Sequence, residues 1–302
     1  MKRIVVMGAT SGIGLAVAQK LAAKGHKVGV AGRKVKVLRE LKKEFPDNIE
    51  WEEIDITKDD APEKLHALIE KLGGMDTYFH ISGVYHNNPE LNLDEEIITV
   101  QTNAVGFARM TSTAYKYFRD NQQPGHIAAI TSVAGTRGMG PIASYSSTKK
   151  FGQAYLEALQ HLSHLQKLDI KFTDIRPGWI RTPLMSPDAQ YPLTMRLSYA
   201  GPLIIKALGR KRSAVYVDWR WEALIRLCQL IPRWLWVRFP FFVSWPSTPE
   251  QRKENRLIEN AEKKPVNVIR EDEAKKFAKE EAKEASKQTD KEKTNPTRES
   301  QK

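Results

Sequence analysis

Cysteine is almost absent: Cys228 alone among 302 residues excludes an internal disulfide and any cysteine-rich metal site. His161 and His164 are spaced for one helix face, but no third ligand lies near them, so they read as surface residues and no metal is expected. Long apolar runs are also missing. The stretch richest in aromatic residues is interrupted by Arg226, Arg233 and Arg238, with Pro232 and Pro240 limiting any helix, so it falls short of the roughly 20 uninterrupted apolar residues of a spanning segment. Met1-Lys2-Arg3 leads straight into Ile4-Val5-Val6-Met7, which is too short for the apolar core of an export signal, so a cytoplasmic location is expected. No repeat of solenoid length is present. One last absence is local. Val28, Val30 and Ala31 form a strand-like run, and the residues after it, Gly32-Arg33-Lys34, include no acid.

What is present is a chain long enough to bury a large core, with an ordinary 41% of hydrophobic residues. Apolar strand-like runs recur at 4–7, 28–31, 78–81, 127–131 and 170–175, with helical patterns between them. That alternation predicts an α/β fold, a doubly wound parallel sheet covered by helices on both faces. Between the first run and the helical pattern of Leu15, Ala16, Ala18 and Leu21 stands Gly8-Ala9-Thr10-Ser11-Gly12-Ile13-Gly14. Strand, glycine turn and helix together make a dinucleotide site. The glycines permit close backbone approach, and the first helical amides, aided by the helix dipole, face a pyrophosphate.

A second motif carries chemistry. Ser132 lies thirteen residues before Tyr145, and Lys149 follows Tyr145 by four. A free tyrosine titrates near about 10 and is a poor acid or base at neutral pH. A lysine one helical turn along the same face favours the phenolate and is expected to draw that value toward the working pH.

With both motifs in order, the chain resembles the short-chain dehydrogenase/reductase family, in its single-domain, NADP-type branch. Gly8, Gly12 and Gly14 follow that branch's glycine spacing. Asp55 follows the third strand, Gly83 the fourth and Ser132 the fifth, with Asn103 in the helix between the last two. Pro177, Gly178 and Thr182 follow the sixth strand, so the resemblance runs from residue 1 to about 185. It implies a Rossmann fold in which Gly8, Thr10, Ser11, Gly12, Ile13, Gly14, Asp55, Gly83, Pro177, Gly178 and Thr182 meet the cofactor. It further implies that Tyr145 protonates a carbonyl oxygen, Ser132 holds it, Lys149 also binds the nicotinamide ribose, and Asn103 anchors a proton path. One departure stands out: His80-Ile81-Ser82-Gly83 replaces the family's Asn-Asn-Ala-Gly, and Ile81 puts the local floor of the cofactor site in question.

Arg33 and Lys34 bear on cofactor choice. An NAD site places an acid here for the ribose 2′-hydroxyl, whereas a guanidinium fork suits a 2′-phosphate, so NADP is expected.

The reductase domain is expected over 1–245, with a substrate lid at about 184–209 and an apolar-basic segment at 215–245 that includes a strand near 215–217. From Arg196 to Arg238, nine basic residues face two acidic ones, and Trp219, Trp221, Trp234, Trp236, Phe239, Phe241, Phe242 and Trp245 lie in or just after this stretch. Residues 246–302 form a charged C-terminal extension. Its part from 250 onward holds fifteen basic and thirteen acidic side chains, expected to be disordered or a solvated helix. The expected function is NADPH-dependent reduction of a ketone or aldehyde, with a lipophilic substrate such as a long-chain keto lipid (3-ketosphinganine-like or 3-oxoacyl). Tryptophan and arginine together suit an anionic membrane surface, and the family's members are often homo-oligomers; no nucleic-acid partner is expected. The competing reading is a non-catalytic NADP(H)-binding regulatory or membrane-adaptor protein.

Overall fold

The structure is a computed structural model that describes residues 1–185, 189–238 and 245–246. Seven parallel strands form one sheet in the order β3-β2-β1-β4-β5-β6-β8. They are β1 (Arg3–Met7), β2 (Lys27–Gly32), β3 (Ile49–Glu53), β4 (Thr77–His80), β5 (Gly125–Ile130), β6 (Ile170–Pro177) and β8 (Ala214–Val217). The central strands are apolar on both faces because helices cover both faces. Val5 and Val6 of β1 alternate sides and enter two separate cores, as do Ala128 and Ala129 of β5.

One core is closed by α1 (Gly12–Ala23), α2 (Val35–Glu44) and α7 (Leu197–Arg210); the other by α3 (Ala61–Lys71), α5 (Phe107–Asp120) and α6 (Ala143–Leu165). Strand order reverses on either side of β1, which pairs with β2 on one edge and β4 on the other. The crevice outside the carboxyl ends of β1 and β4 is therefore the switch point where such sheets bind ligands.

Helix α4 (Leu93–Val100) runs into a π-helical turn, Gln101–Gly106, before α5 begins. A π turn displaces side chains from the α register, and such turns are frequent at functional sites. Asn103 sits inside it.

The expected lid, 184–209, divides. Residues from Leu197 belong to α7, whose Ala200, Ile204, Ala207 and Leu208 are buried in the core, so this part supports the sheet. Ahead of it, β7 (Ala189–Gln190) pairs antiparallel with β9 (Trp245–Pro246). Helices α8 (Trp219–Leu230) and α9 (Arg233–Trp236) follow β8 at the carboxyl edge. Arg210, Lys211 and Arg212 precede β8 and so lie at the opposite edge, which splits the basic cluster counted along the sequence. Phe239, Phe241, Phe242 and the tail beyond Pro246 lie outside the described residues. Among the described residues no helix is long and apolar enough to cross a membrane.

Candidate active site

A groove of about 310 Å³ runs along the switch point. It gathers Gly8, Thr10, Ser11, Gly12, Ile13 and Gly14 from the first turn, Arg33 and Lys34 from the end of β2, and Asp55, Gly83 and Thr182 from later loops. Gly8 has φ of +96°, and a Cβ there would stand 2.6 Å from the Ser82 amide nitrogen. At Gly14 a Cβ would lie 2.0 Å from the Gly8 carbonyl oxygen, so only glycine lets α1 approach the turn this closely. Ser11 makes no side-chain cap and the first turn of α1 carries no acid, which leaves its amides and positive dipole end to an anion. Burial raises the Asp55 carboxyl pKa, but two hydrogen bonds from Thr57 and the charges of Arg33 and Lys58 outweigh it, so the group lies below its usual range. These residues fit a dinucleotide.

The departure at Ile81 leaves this floor intact. Backbone amides of Ile81 and Ser82 both donate to the Met7 carbonyl, at 2.8 and 3.0 Å, and so hold the loop without a side-chain amide. His80 is buried, bonded through Nδ1 to the Tyr78 hydroxyl at 2.9 Å, and burial together with the Lys149 charge pushes its pKa down to about 3. It is a neutral core residue. Asn103 clamps the next loop with two bonds of 2.8 Å, accepting from the Val84 amide and donating to the Val84 carbonyl. Its side chain therefore positions the Gly83–Val84 turn.

Ser132 lies two residues beyond the end of β5, capping the short turn Val133–Thr136, and Tyr145 and Lys149 lie on the first turns of α6. Lys149 Nζ stands 5.5 Å from the Tyr145 ring centre and donates to the Ile130 carbonyl at 3.3 Å. The expected depression of the phenol is not found. Burial pushes Tyr145 up to about 12, and a hydrogen bond with Ser132 offsets only part of that. Lys149 moves the other way, down to about 8, because burial disfavours its charge; the nearby Asp174 partly restores it. Asp174 was not foreseen from the sequence. It is a buried carboxylate on β6, bonded by the Thr131 hydroxyl and by Arg176 Nε.

Pro177 and Gly178 do not line the groove. Gly178 instead borders a second cavity of about 210 Å³, which also reaches Ser132. A Cβ at 178 would meet the Trp221 ring at 2.0 Å, so glycine here admits an aromatic from α8. Val133, Met139, Trp179, Leu224, Ile225 and Trp236 complete a mostly apolar wall. Tyr85 stands edge-on to Tyr145 at 5.0 Å and to Trp179 at 5.6 Å, extending the aromatic lining to the phenol itself. No sequence motif marks these residues. They come from five separated segments and share only their apolar character.

Residues 2–191 match the short chain dehydrogenase family. The chain is 29% identical over 235 residues to an uncharacterized oxidoreductase of Myxococcus xanthus, covering 76% of this chain and 92% of that one. It is 32% identical over 198 residues to ipsdienol dehydrogenase of Ips pini, covering 60% and 75%. The solved structure of ElxO with NADP bound superposes with a TM-score of 0.63 at 20% identity, over 74% of this chain and all of that one. With the family match covering residues 2–191 and relatives named as oxidoreductases, the chain belongs to the short-chain dehydrogenases, a family of oxidoreductases.

Proposed function

We propose that this protein is an NADPH-dependent reductase of an apolar ketone or aldehyde. The observation that carries the substrate side of this reading is the 210 Å³ cavity. It joins Ser132 to a wall of Met139, Trp179, Trp221, Leu224, Ile225 and Trp236. Such a wall favours a substrate whose carbonyl carries aliphatic or ring substituents, since each buried CH₂ contributes about 0.8 kcal/mol. A long-chain keto lipid remains the favoured class.

The dinucleotide would lie along Gly8–Gly14, with Arg33 and Lys34 beside a 2′-phosphate and Lys149 at the nicotinamide ribose. When bound it supplies the hydride. The protein's own task is the proton. A phenol held near 12 keeps its proton across the physiological range but is a weaker acid than a free tyrosine. Tyr145 would therefore give that proton to the carbonyl oxygen, as carbon receives hydride, only with its phenolate stabilised as it forms. Ser132 would steady that oxygen. Lys149, charged below about 8, would stabilise the phenolate left behind until solvent returns a proton.

The same reading extends to location. Leu227, Leu230, Trp234 and Val237 are exposed on α8, α9 and the residue after α9, beside the elements that wall the cavity. Arg226 is paired with Glu222 and Arg220 with Asp218, so Arg233 and Arg238 contribute most of the local positive charge. This ridge supports attachment to an anionic lipid surface mainly through apolar burial, with a smaller electrostatic share.

NADPH oxidation with short, acyl-chain and sphingoid ketones tests the proposal. Turnover with at least one apolar ketone is expected. Tight NADPH binding with no turnover on any of them would favour a non-catalytic binding module.

A further inference from the structure

Arg137 is neither part of the glycine motif nor of the Ser132-Tyr145-Lys149 set, yet it ties two distant segments together. It lies in the loop between Ser132 and α6. Its Nη2 donates to three carbonyls at the end of α8: Cys228 at 3.2 Å, Gln229 at 2.8 Å and Ile231 at 2.5 Å. A helix C-terminus carries unpaired carbonyls and the negative end of the dipole, so a guanidinium is well suited to cap it. The same guanidinium lies 5.7 Å from the centre of the Trp236 ring, and Trp236 Nε1 donates back to the Gly138 carbonyl at 2.9 Å. Loop and C-terminal helices thus hold each other at two points, ninety-odd residues apart in the chain. The 210 Å³ cavity lies between them, with Met139 on the loop side and Leu224 and Ile225 on the helix side.

We propose that Arg137 is a positioning residue that latches α8 and α9 to the Ser132 loop and thereby sets the width of the apolar subsite. This rests on the reading of that cavity as the substrate site. A guanidinium serves better than an ammonium, because it donates in a plane to several carbonyls while its face stays available to an indole. Loss of the latch frees the end of α8, and the wall built from Leu224, Ile225 and Trp236 then no longer presses on a bound chain.

The test uses the full chain with Arg137→Ala, Arg137→Lys and, as a milder second variant that removes the indole donor and part of the ring, Trp236→Phe. Hydrogen exchange over 228–237 should accelerate roughly tenfold or more in Arg137→Ala, the scale of one lost charge-assisted hydrogen bond, with α6 and β5 unchanged. The ratio of kcat/KM for 2-decanone over 2-butanone should fall about tenfold through KM for the longer ketone, with a smaller fall in Trp236→Phe and partial recovery in Arg137→Lys. Unchanged exchange over 228–237 would overturn the latch. Faster exchange with an unchanged ratio would overturn its control of the subsite. Should the wild type reduce neither ketone, nor any acyl-chain or sphingoid ketone, the reductase reading fails by itself. Calorimetric binding of 2-decanone then decides, and equal affinity in wild type and Arg137→Ala sinks the proposal.

Discussion

The two cavities on either side of the Ser132-Tyr145-Lys149 set are built by opposite means. The groove at the switch point starts from backbone, with glycines lacking a Cβ, helix amides and a loop held by two amides on the Met7 carbonyl, and adds the side chains of Arg33, Lys34 and Asp55. The second cavity is made of side chains, chiefly tryptophan, leucine, isoleucine and methionine. Backbone recognition requires particular glycines at particular spacings, because a Cβ 2.0 Å from a carbonyl oxygen cannot be accommodated. Apolar side-chain recognition requires only volume and hydrophobic character, which many sequences supply. The first surface thus depends on particular residues at particular positions, and the second on volume and apolar character alone.

Several experiments break or sharpen that contrast. The largest effect is expected between the cavities, at the proton donor: Tyr145→Phe should lower turnover by about 10² or more while NADPH affinity survives, since the groove is untouched. Stopped-flow turnover together with fluorescence titration of NADPH separates the two. On the groove side, Arg33→Ala should remove roughly one to two decades of preference for NADPH over NADH, the value of one charge-assisted hydrogen bond. A variant that keeps the full preference would shift the role to Lys34.

A third experiment is a pH profile. Lys149 is depressed to about 8 from 10.5, so its charge is lost as pH rises through about 8, well before Tyr145 titrates near 12. Turnover in the reducing direction should fall above that inflection, and Lys149→Met should abolish the inflection along with most of the rate. The sign for stability is opposite. Between about 8 and 10.5 the unfolded chain binds the proton that the folded chain has released, so this site's contribution to stability rises over that interval. The smallest effect concerns the rim of the second cavity: co-sedimentation with anionic vesicles should be modest and only partly salt-sensitive, and Leu230→Glu with Trp234→Glu should remove it. Binding that vanishes entirely at moderate salt would instead return the weight to charge.

How much was legible in sequence follows the same division. Gly8–Gly14, Arg33, Asp55, Gly83 and Thr182 are brought into one groove because local motifs dictate local backbone. Ser132, Tyr145 and Lys149 are brought together because four residues make one helical turn and β5 ends beside α6. Three expectations changed for physical reasons. The Tyr145 pKa depends on burial, which spacing does not report, and burial outweighs the hydrogen bond with Ser132. Residues 197–209 read as lid from their position alone, but Ala200, Ile204 and Leu208 fall on one helical face and are buried in the core. The basic surplus between Arg196 and Arg238 was a property of the chain, and β8 separates it onto two edges of the sheet. Gly178 illustrates the remainder: its role beside Trp221 involves a partner more than forty residues away that no motif names.

The central proposal, that the glycine-turn groove holds NADPH and serves an apolar carbonyl site, is tested most directly by one series. NADPH oxidation is measured with 2-butanone, 2-hexanone, 2-octanone and 2-decanone, with Tyr145→Phe as the control. The account predicts that kcat/KM climbs with each added pair of methylenes until the cavity is filled, and that Tyr145→Phe is slow throughout. A wild-type profile flat or falling with chain length, or one that Tyr145→Phe reproduces, would contradict it.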